Sequence, residues 1–461
     1  MKHLTVQNIA AACGGTVYGP AEGVRSKTEA TAVVIDSREA KKDDVFIAMP
    51  GERVDGHKFI GDVWAKGALA VVCEVLPKSL DGVCIQVESS ARALRDIAEF
   101  YRKQLTLTVV GVTGSVGKTS TKEMIAGVLS EKYNTLKTSG NYNNEIGLPL
   151  TILRIREEHQ AAVVEMGISE FGEMHRLSKV ARPDICVITN IGQCHLESLG
   201  DRDGVLKAKT EIFDFRNPEG VVCVNGDDDK LVTLRGKLGD CLTTFGRERH
   251  NTVYARRSES KGLLGSCMDI AGLVELTEVT VPLPGEHMIY NALAAAAVGY
   301  HMGLTREQIR AGIEKARAVG GRSNLLQKGD YVLIDDCYNA NPVSMKAALE
   351  LLGQAEGRKV AVLGDMFELG EGSPAFHKET GNYAVKCGVD VLFCVGTLSE
   401  AMYEGGKEAL KDVTAEYRTE LIYLKEKEEL KNRLPEVLQP GDTILLKASH
   451  GMGFEEVIEW I

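Results

Sequence analysis

The sequence predicts an α/β protein of three domains: a small α/β domain, a central domain on a mostly parallel sheet, and a doubly wound third domain. The chain has 461 residues, of which 44% are hydrophobic, enough to form several cores. Short apolar runs rich in β-branched residues alternate with helical stretches, as in parallel sheets covered by helices. The pattern changes near residue 104 and at Gly320-Gly321, which predicts domains of residues 1–103, 104–319 and 320–461.

The apolar runs predict the strands of each domain. In the first domain they lie at 32–35, 45–49, 68–72 and 83–87, followed by a helix over 90–102. In the central domain they lie at 106–110, 161–164, 184–188 and 221–224, followed by extra strands and loops at 240–284 and an Ala-rich helix at 291–302. In the third, Rossmann-like domain they lie at 331–335, 360–363, 391–395 and 443–447, alternating with charged helices such as 416–431.

Composition excludes several classes of protein. Asp and Glu outnumber Lys and Arg by 65 to 54, and the net charge of -11 argues against a protein that coats nucleic acid or anionic membranes. No apolar run approaches the roughly 20 residues that cross a bilayer, and the first residues lack the apolar stretch of a signal peptide. The 11 cysteines are scattered without a CxxC pair, which fits reduced thiols. We therefore expect a soluble protein of the cytoplasm, with no nucleic-acid partner and no membrane insertion.

The segment Thr113-Gly-Ser-Val-Gly-Lys-Thr119 is the strongest functional signal. It follows a predicted strand and opens a predicted helix, as a phosphate-binding loop (P-loop) requires. Gly114 and Gly117 let backbone N–H groups approach phosphate oxygens. Lys118 supplies a mobile cation, and Thr119 offers a hydroxyl to Mg2+. We interpret the segment as a site for ATP or GTP rather than as an ordinary β–α turn.

This loop resembles the shortened P-loop of the Mur ligases, the ATP-dependent amide-forming enzymes of peptidoglycan precursor synthesis; Val112 stands where the general pattern has its first glycine. Other segments are similar to successive motifs of that family, at 141–149, 163–167, 190–197 and 285–294. Asp335-Asp-Cys-Tyr-Asn-Ala-Asn-Pro342 and Leu363-Gly-Asp-Met-Phe-Glu-Leu-Gly370 are similar to the member that adds D-alanyl-D-alanine. The resemblance covers nearly the whole chain, including 36–38 and 55–59.

The resemblance implies a reaction and its partners. The first domain would hold a UDP-N-acetylmuramoyl-tripeptide, the central domain ATP with Mg2+, and the third domain D-alanyl-D-alanine. The terminal carboxylate of the tripeptide would attack ATP to give an acyl phosphate, and the amine of the dipeptide would displace phosphate from it. The products would be the UDP-muramoyl-pentapeptide, ADP and phosphate. We expect the chain to act as a monomer.

The resemblance also implies an ATP site. Its residues are Thr113, Gly114, Ser115, Val116, Gly117, Lys118, Thr119, Ser120, His287, Asn291, Arg322, Asp336 and Asn339. His287 and Asn291 are assigned to the adenine and ribose side, with Met288 where many relatives place asparagine. Arg322 follows the Gly-Gly linker, where its planar cation suits bridging phosphate oxygens. The alternative for Arg322 is a hinge arginine that pairs with a local carboxylate.

The residues expected at the metal ions are Thr119, Glu165, His195 and Lys209. Glu165 ends an apolar strand at the sheet edge where ligands bind, which suits Mg2+, although a carboxylate there can also cap a helix. The resemblance implies that His195 helps to hold a second Mg2+. It also implies that Lys209, which register favours over Lys207, is carbamylated and becomes an anion; the alternative is a plain solvated lysine. The expected catalytic residues are Lys118, Lys209, His195 and Arg322.

Four more residues are expected to bind the muramoyl substrate. Asn144 and Glu145 lie in an Asn-rich segment that by residue type alone is a turn, and the resemblance assigns it to phosphate or substrate. Ser37 and Arg38 are expected to recognise the uracil end of the UDP group.

The residues leave three other interpretations open. A sister ligase adds the third amino acid, but its Asp-Asn-Pro-Arg recognition motif does not occur in this sequence. Folylpolyglutamate synthase has a similar core but lacks the UDP-binding domain suggested by residues 36–59. A P-loop switch or motor would use hydrolysis to change its affinity for a macromolecule.

Overall fold

The computed structural model describes residues 1–20, 27–51, 54–411 and 419–461. Within these residues, three sheets of five, nine and six strands follow one another along the chain, and each is mostly parallel. We call them, with their helices, the first, central and third units. The predicted α/β class with three units is confirmed. Among the described helices, none combines the length and apolar character that a bilayer crossing requires.

The first unit contains strands β1 (Thr16–Tyr18), β2 (Val33–Val34), β3 (Val45–Ile47), β4 (Ala70–Cys73) and β5 (Cys84–Gln86), and helices α1 (Val6–Cys13), α2 (Ile60–Ala65) and α3 (Ser90–Arg102). The sheet order is β1-β5-β4-β3-β2, with β1 antiparallel to β5 and the other neighbours parallel. Each predicted apolar run overlaps one of β2 to β5. Helix α3 has the predicted bounds because the Ser89 hydroxyl caps it, accepting a hydrogen bond from the backbone N–H of Arg92.

The central unit has the nine-stranded sheet. Its strands are β6 (Thr108–Thr113), β7 (Thr135–Lys137), β8 (Ala161–Glu165), β9 (Ile185–Ile188), β10 (Val221–Asn225), β11 (Leu242–Gly246), β12 (Val253–Ser260), β13 (Ser266–Gly272) and β14 (Leu276–Val281). Its helices are α4 (Lys118–Leu129), α5 (Gly147–Leu153), α6 (Glu173–Ala181), α7 (Leu196–Leu199), α8 (Arg202–Thr210), α9 (Arg235–Leu238), α10 (His287–His301) and α11 (Arg306–Glu314). The predicted Ala-rich helix is α10, which begins one turn earlier than expected.

The order of the central sheet is β14-β13-β12-β11-β10-β9-β6-β8-β7. Strands β6 to β12 pair in parallel, and β13 and β14 add an antiparallel edge. Strands β11 to β14 account for the extra strands predicted at 240–284. Strand β6 lies between β8 and β9. The next strands in the chain, β7 and β8, lie on one side of β6, and β9 and β10 lie on the other, so the strand order reverses at β6. In parallel sheets, such a reversal opens a crevice at the carboxyl ends of the strands, where ligands bind.

The third unit contains strands β15 (Asn324–Lys328), β16 (Tyr331–Asp335), β17 (Lys359–Gly364), β18 (Val391–Val395), β19 (Glu420–Leu424) and β20 (Thr443–Lys447). Its helices are α12 (Pro342–Gly353), α13 (Ser373–Lys386), α14 (Glu400–Ala409), α15 (Leu430–Val437) and α16 (Glu455–Trp460). The order is β15-β16-β20-β17-β18-β19, parallel except for β15. Separate apolar clusters cover the two faces of this sheet, as expected for a doubly wound fold.

The predicted charged helix over 416–431 is wrong. Residues 416–418 lie outside the described part of the chain, and Glu420–Leu424 is strand β19, parallel to β18. Helix α15 begins only at Leu430. Ile422 and Leu424 are buried in the sheet, so pairing with β18 outweighs the local helix preference of the surrounding Glu and Lys residues.

Helix α3 joins the first unit to the central unit. It packs against α1 on one side and against α5 and α6 on the other. The guanidinium of Arg102, at its carboxyl end, is buried and donates hydrogen bonds to the backbone oxygens of Ala181 (2.8 Å) and Arg182 (3.0 Å). It also donates to the carboxylate of Asp184 at 3.0 Å. One arginine thus holds the helix to the loop that leads into β9.

Replacing Arg102 by alanine should destabilise the protein. The change leaves buried acceptors unpaired, and breaking a buried ion pair costs about 3 kcal/mol. The expected result is a clear fall in the thermal unfolding midpoint. Arg92→Ala on the exposed face of the same helix is the matched control, because its side chain is 70% exposed and its ion pair with Asp96 is loose, at 3.6 Å. Equal midpoints for the two variants would contradict the role given to Arg102.

Candidate active site

A cleft of about 1080 Å³ lies where the carboxyl edge of the central sheet faces the third unit. The central unit contributes most of the loop between β6 and α4 together with Glu165, His195, His287 and Asn291. The third unit and the linker contribute residues that include Arg322, Asp336 and Asn339. Most of the residues that the sequence assigned to ATP therefore line one cavity, at the reversal of strand order.

The backbone of the loop Thr113–Thr119, which we call the phosphate loop, requires its glycines. Gly114 has φ of 151° and Gly117 has φ of 80°, both in the region that side chains disfavour. A Cβ atom at Gly114 would also lie 1.9 Å from Oγ1 of Thr189. Helix α4 begins directly after Gly117 and has no side-chain cap. Its first backbone N–H groups are therefore free to bind an anion, which the positive end of the helix dipole also favours.

The segment after β9 holds the phosphate loop in place. The backbone N–H groups of Ser115 and Val116 donate to the carbonyl and side-chain oxygens of Asn190, each at 3.0 Å. The side chains of Thr189 and Asn190 donate back to the carbonyl of Val116. These bonds fix the loop before any ligand binds, so little ordering is needed on binding.

The ammonium of Lys118 folds over the phosphate loop. Its Nζ donates to the carbonyls of Gly114 at 2.9 Å and Ser115 at 3.4 Å. Burial lowers the pKa of Lys118, and the Glu165 carboxylate opposes that change. The cation is held where phosphate oxygens would meet the loop, and an anionic ligand there would relieve the cost of its burial.

Thr119 and Glu165 meet at the bottom of the cleft. The hydroxyl of Thr119 donates to Oε2 of Glu165 at 2.8 Å, and the side-chain amide of Asn143 donates to Oε1 at 2.8 Å. The ammonium of Lys122 lies 3.8 Å from the same carboxylate. Glu165 is only 1% exposed. A hydroxyl and a carboxylate oxygen side by side are donors that suit Mg2+, which needs few protein ligands when phosphates supply others.

His195 lies in the loop after β9 with a left-handed backbone, φ of 51°. Its Nδ1 is 2.7 Å from Oε2 of Glu368 in the third unit, close enough for an ion pair although not aligned as a hydrogen bond. The histidine lowers the pKa of Glu368. In the described part of the chain, no group of three or more His, Cys, Asp or Glu side chains is arranged to hold a metal ion. A metal at His195 would therefore need ligands from the nucleotide.

Lys209 is buried on α8, behind the cleft rather than in its lining. Burial lowers the pKa of its ammonium to about 8; the Cys194 thiol opposes this change and the Lys118 cation adds to it. Lys207, the other lysine of the segment, is exposed and lies over the ring of Phe171. Lys207 is therefore the solvated lysine of this segment, whereas Lys209 is buried.

His287 and Asn291 lie on the first turns of α10. Oδ1 of Asn291 accepts a hydrogen bond from the Thr121 hydroxyl at 2.8 Å, and its amide donates to Sδ of Met288 at 3.3 Å. Burial lowers the pKa of His287. Asn291 therefore ties α10 to the helix that follows the phosphate loop, and His287 lines the cleft as a partly buried imidazole.

The third unit supplies a charged wall. The guanidinium of Arg322 stacks on the ring of Tyr338, 3.8 Å from its centre, rather than pairing with a described carboxylate. The buried ammonium of Lys447 donates to Oδ2 of Asp336 at 2.6 Å and to the carbonyl of Asn339 at 2.9 Å. Stacking holds Arg322 flat and leaves its N–H groups free for oxygen acceptors in the cleft.

Comparison with known proteins decides the family. Sequence profiles of three domain families match consecutive parts of the chain: Mur ligase family, catalytic domain (29–102), Mur ligase middle domain (112–299) and Mur ligase, glutamate ligase domain (321–450). The UDP-N-acetylmuramoyl-tripeptide–D-alanyl-D-alanine ligase of Bacillus subtilis (strain 168) is 38% identical over an alignment of 462 positions that covers 99% of this chain and 97% of that relative. The chain belongs to the Mur ligase family.

Solved structures agree with this assignment. A crystal structure of MurF from Acinetobacter baumannii has a TM-score of 0.89 and 33% identity, covering 99% of this chain and 98% of that one. MurF ligase from Thermotoga maritima in complex with ADP has a TM-score of 0.78 and 30% identity, covering 93% of this chain and 96% of that one. The family predicted from the sequence is therefore confirmed.

The residues predicted to bind the muramoyl substrate do not gather in the cleft of this Mur ligase. Arg38 pairs with Asp36 on the surface of the first unit, and the carbonyl of Ser37 accepts from Lys66 at 2.7 Å. Asn144 lines the cleft, and its Oδ1 also accepts from the backbone N–H of Gly147 at 2.9 Å, at the start of α5.

Glu145 lies outside the lining of the cleft. Its carboxylate pairs with Arg95 of α3 at 3.2 Å and with Arg176 of α6 at 2.5 Å. Glu145 thus links α3 to α6 through two ion pairs.

Sequence reasoning missed several residues of the site. Asn143 stands beside the predicted Asn144, and Asn190 begins the motif that contains His195, so both lay in segments already singled out. Lys447 ends the apolar strand β20. A charged residue at the carboxyl end of an apolar strand is the same signal that identified Glu165, so Lys447 could have been found in the same way.

Gly114→Ala should weaken ATP binding by at least about tenfold. The added methyl group collides with Thr189 and the backbone cannot keep its φ, so the phosphate loop must move. Calorimetric titration with ATP and Mg2+ measures the change. Gly140→Ala is the control, because Gly140 also has positive φ (53°) but has no atom within 4 Å of the new methyl. Equal affinities for the two variants would mean that the loop tolerates the collision.

Proposed function

We propose that this Mur ligase joins D-alanyl-D-alanine to UDP-N-acetylmuramoyl-tripeptide in an ATP-dependent, ADP-forming reaction. The product is the UDP-muramoyl-pentapeptide used in peptidoglycan synthesis. The observation that carries the proposal is the cleft in which a phosphate loop on the central unit faces cations and carboxylates of the third unit. The relatives similar over the whole chain supply the identity of the two substrates.

The first half-reaction needs neutralisation of charge. A carboxylate of the tripeptide must approach the γ-phosphate of ATP, which is itself anionic. Lys118, the amino end of α4 and Arg322 bring positive charge to the cleft from two units. The carboxylate oxygen bonds to the γ-phosphorus as the bond to ADP breaks, which leaves an acyl phosphate.

The second half-reaction transfers the acyl group. The amine nitrogen of D-alanyl-D-alanine attacks the acyl carbon, phosphate leaves, and the proton of the ammonium passes to an acceptor that we do not assign. The acyl phosphate must be protected from water. The wall formed by Arg322, Tyr338 and Asp336 lines the same cleft as the phosphate loop, and it would exclude water when the cleft closes.

Mg2+ is the proposed metal, and the donors present fit it. Thr119 and Glu165 offer hydroxyl and carboxylate oxygens in contact with each other, and His195 lines the same cleft. When bound, the metal neutralises phosphate charge and fixes the orientation of the triphosphate.

We further propose that each unit serves one substrate. Residues 1–103 bind the UDP-muramoyl peptide, with Ser37 and Arg38 toward the uracil, residues 104–319 bind ATP, and residues 320–461 bind the dipeptide and close on ATP. Asn144 contacts the muramoyl substrate or phosphate, whereas Glu145 acts by placing α5. We place the reaction of the monomeric enzyme in the cytoplasm.

Lys209 is proposed to carry a carbamate. Only the neutral amine reacts with carbon dioxide, and a pKa of about 8 leaves roughly a tenth of the lysine neutral at pH 7, against far less for an ordinary lysine. The modified side chain is an anion, so its burial near the Lys118 cation becomes favourable rather than repulsive.

A sister ligase that adds the third amino acid and a P-loop switch are the alternatives. The ligase adding D-alanyl-D-alanine requires both UDP-muramoyl-tripeptide and the dipeptide for release of phosphate. A switch would hydrolyse ATP without either and respond to a macromolecule instead. A sister ligase would accept a single amino acid and a shorter UDP-muramoyl peptide.

The deciding experiment is the mass of the product formed from ATP, candidate UDP-muramoyl peptides, amino acids and dipeptides. The pentapeptide is the expected product. Lys118→Ala should lower the rate of its formation at least about a hundredfold, because a cation that stabilises transferring phosphate is lost. The UDP substrate should still bind to that variant. Lys237→Ala, at an exposed lysine of α9, is the control. Wild-type turnover by Lys118→Ala would defeat the assignment of the loop.

Lys209→Ala should lose activity that added short carboxylates partly restore, because they replace the anion of the carbamate. Lys207→Ala should remain active. Wild-type enzyme depleted of bicarbonate should regain activity faster at pH 9 than at pH 7 when both samples contain the same concentration of dissolved CO2, since the neutral fraction of a group with pKa about 8 rises from roughly a tenth to nine tenths. Full activity of Lys209→Ala without rescue, or recovery independent of pH, would exclude the carbamate.

A further inference from the structure

The contact between His195 and Glu368 crosses from the central unit to the third unit. Nδ1 of the imidazole lies 2.7 Å from Oε2 of the carboxylate. The histidine side chain is 23% exposed and the glutamate side chain 58% exposed. The largely buried imidazole of His195, in the central unit, is thus in contact with the more exposed carboxylate of Glu368, in the third unit. The reaction described above gives Glu368 no role.

On the central side, His195 is tied to the phosphate loop. The preceding residue, Cys194, is buried and its thiol donates to the hydroxyl of Ser115 at 3.1 Å. The same hydroxyl accepts a hydrogen bond from the backbone N–H of Gly192 at 2.8 Å. The segment that leads into His195 is therefore tied to the phosphate loop through Ser115.

On the side of the third unit, the backbone that presents Glu368 is anchored. The N–H groups of Met366 and Phe367 donate to Nε2 of His377 and to Oγ of Ser449, both at 2.9 Å. Glu368 itself has φ of 62°, a conformation that costs about 1 kcal/mol in a residue other than glycine. The anchored residues before it maintain this conformation, which carries the carboxylate to His195.

The two nitrogens of an imidazole have different tasks when one of them faces a carboxylate. The carboxylate fixes the orientation of the ring and the position of its proton, and the other nitrogen is left for a metal or substrate. Glu368 approaches Nδ1, so Nε2 remains for a partner at His195, which lines the cleft.

We propose that Glu368 is a positioning residue that orients the His195 imidazole and so makes metal binding beside the phosphate loop depend on docking of the third unit. The inference rests on the proposed function, because it requires a metal–nucleotide complex in the cleft. The unit that brings the amine completes the metal site as it docks.

The test measures Mn2+ binding to the enzyme–ADP complex by electron paramagnetic resonance. Glu368→Gln should weaken Mn2+ binding about tenfold, since residues behind metal-binding histidines have effects of that size. Glu371→Gln, an exposed change in the same loop, is the matched control and should bind Mn2+ as the wild type does. ADP without metal should bind equally to all three proteins. Unchanged Mn2+ binding in Glu368→Gln would overturn the inference.

A double-mutant cycle separates orientation of His195 from a general effect. With His195→Ala in the background, adding Glu368→Gln should change Mn2+ affinity by less than about twofold, because the two residues act as one unit. An undiminished tenfold effect in that background would also overturn the inference. Failure of the wild type to bind ADP would overturn the proposed function and this inference together, whereas the preceding outcomes leave the proposed function standing.

Discussion

The site depends on the placement of one glycine-rich loop at the reversal of strand order in the central sheet. Strand β6 has β8 on one side and β9 on the other, so the ends of all three strands converge where the loop begins. Glu165 comes from β8, and Asn190 follows β9. Both bond to the loop or to the helix after it. Without that strand order, the hydroxyl, the carboxylate and the free N–H groups would not meet.

Buried charge connects the loop to the rest of the cleft. Lys118 has carbonyl partners, Lys122 lies near Glu165, and Lys447 pairs with Asp336 across the third unit. Burying ions is costly unless each finds an opposite charge. Lys122 and Lys447 each have a carboxylate partner within the protein. Lys118 and the guanidinium of Arg322 instead line the cavity. An anionic ligand therefore binds where the protein has left positive charge uncompensated.

The sequence predicted those parts of the structure that depend on local pattern. The bounds of α3, the apolar strands and the place of the phosphate loop between a strand and a helix follow from residues close together in the chain. The interpretation of 416–431 as a helix was wrong because pairing of β19 with β18, a long-range contact, decided it. The contacts of Lys447 with Asp336 and of His195 with Glu368 join residues far apart in sequence. Their side-chain types carry no local sign of such partners, so only the fold reveals them.

The first and central units share one apolar core, which runs from Leu4 through the residues of α3 to Leu234, whereas the third unit has cores of its own. The first and central units are therefore packed together as one body, and the third unit forms a second body. They are joined near Gly321 and Ser323, both with positive φ. A rotation of one body at that joint would open the cleft. The distance between the first unit and the phosphate loop is set by that shared core, so a rotation at the joint would leave it unchanged.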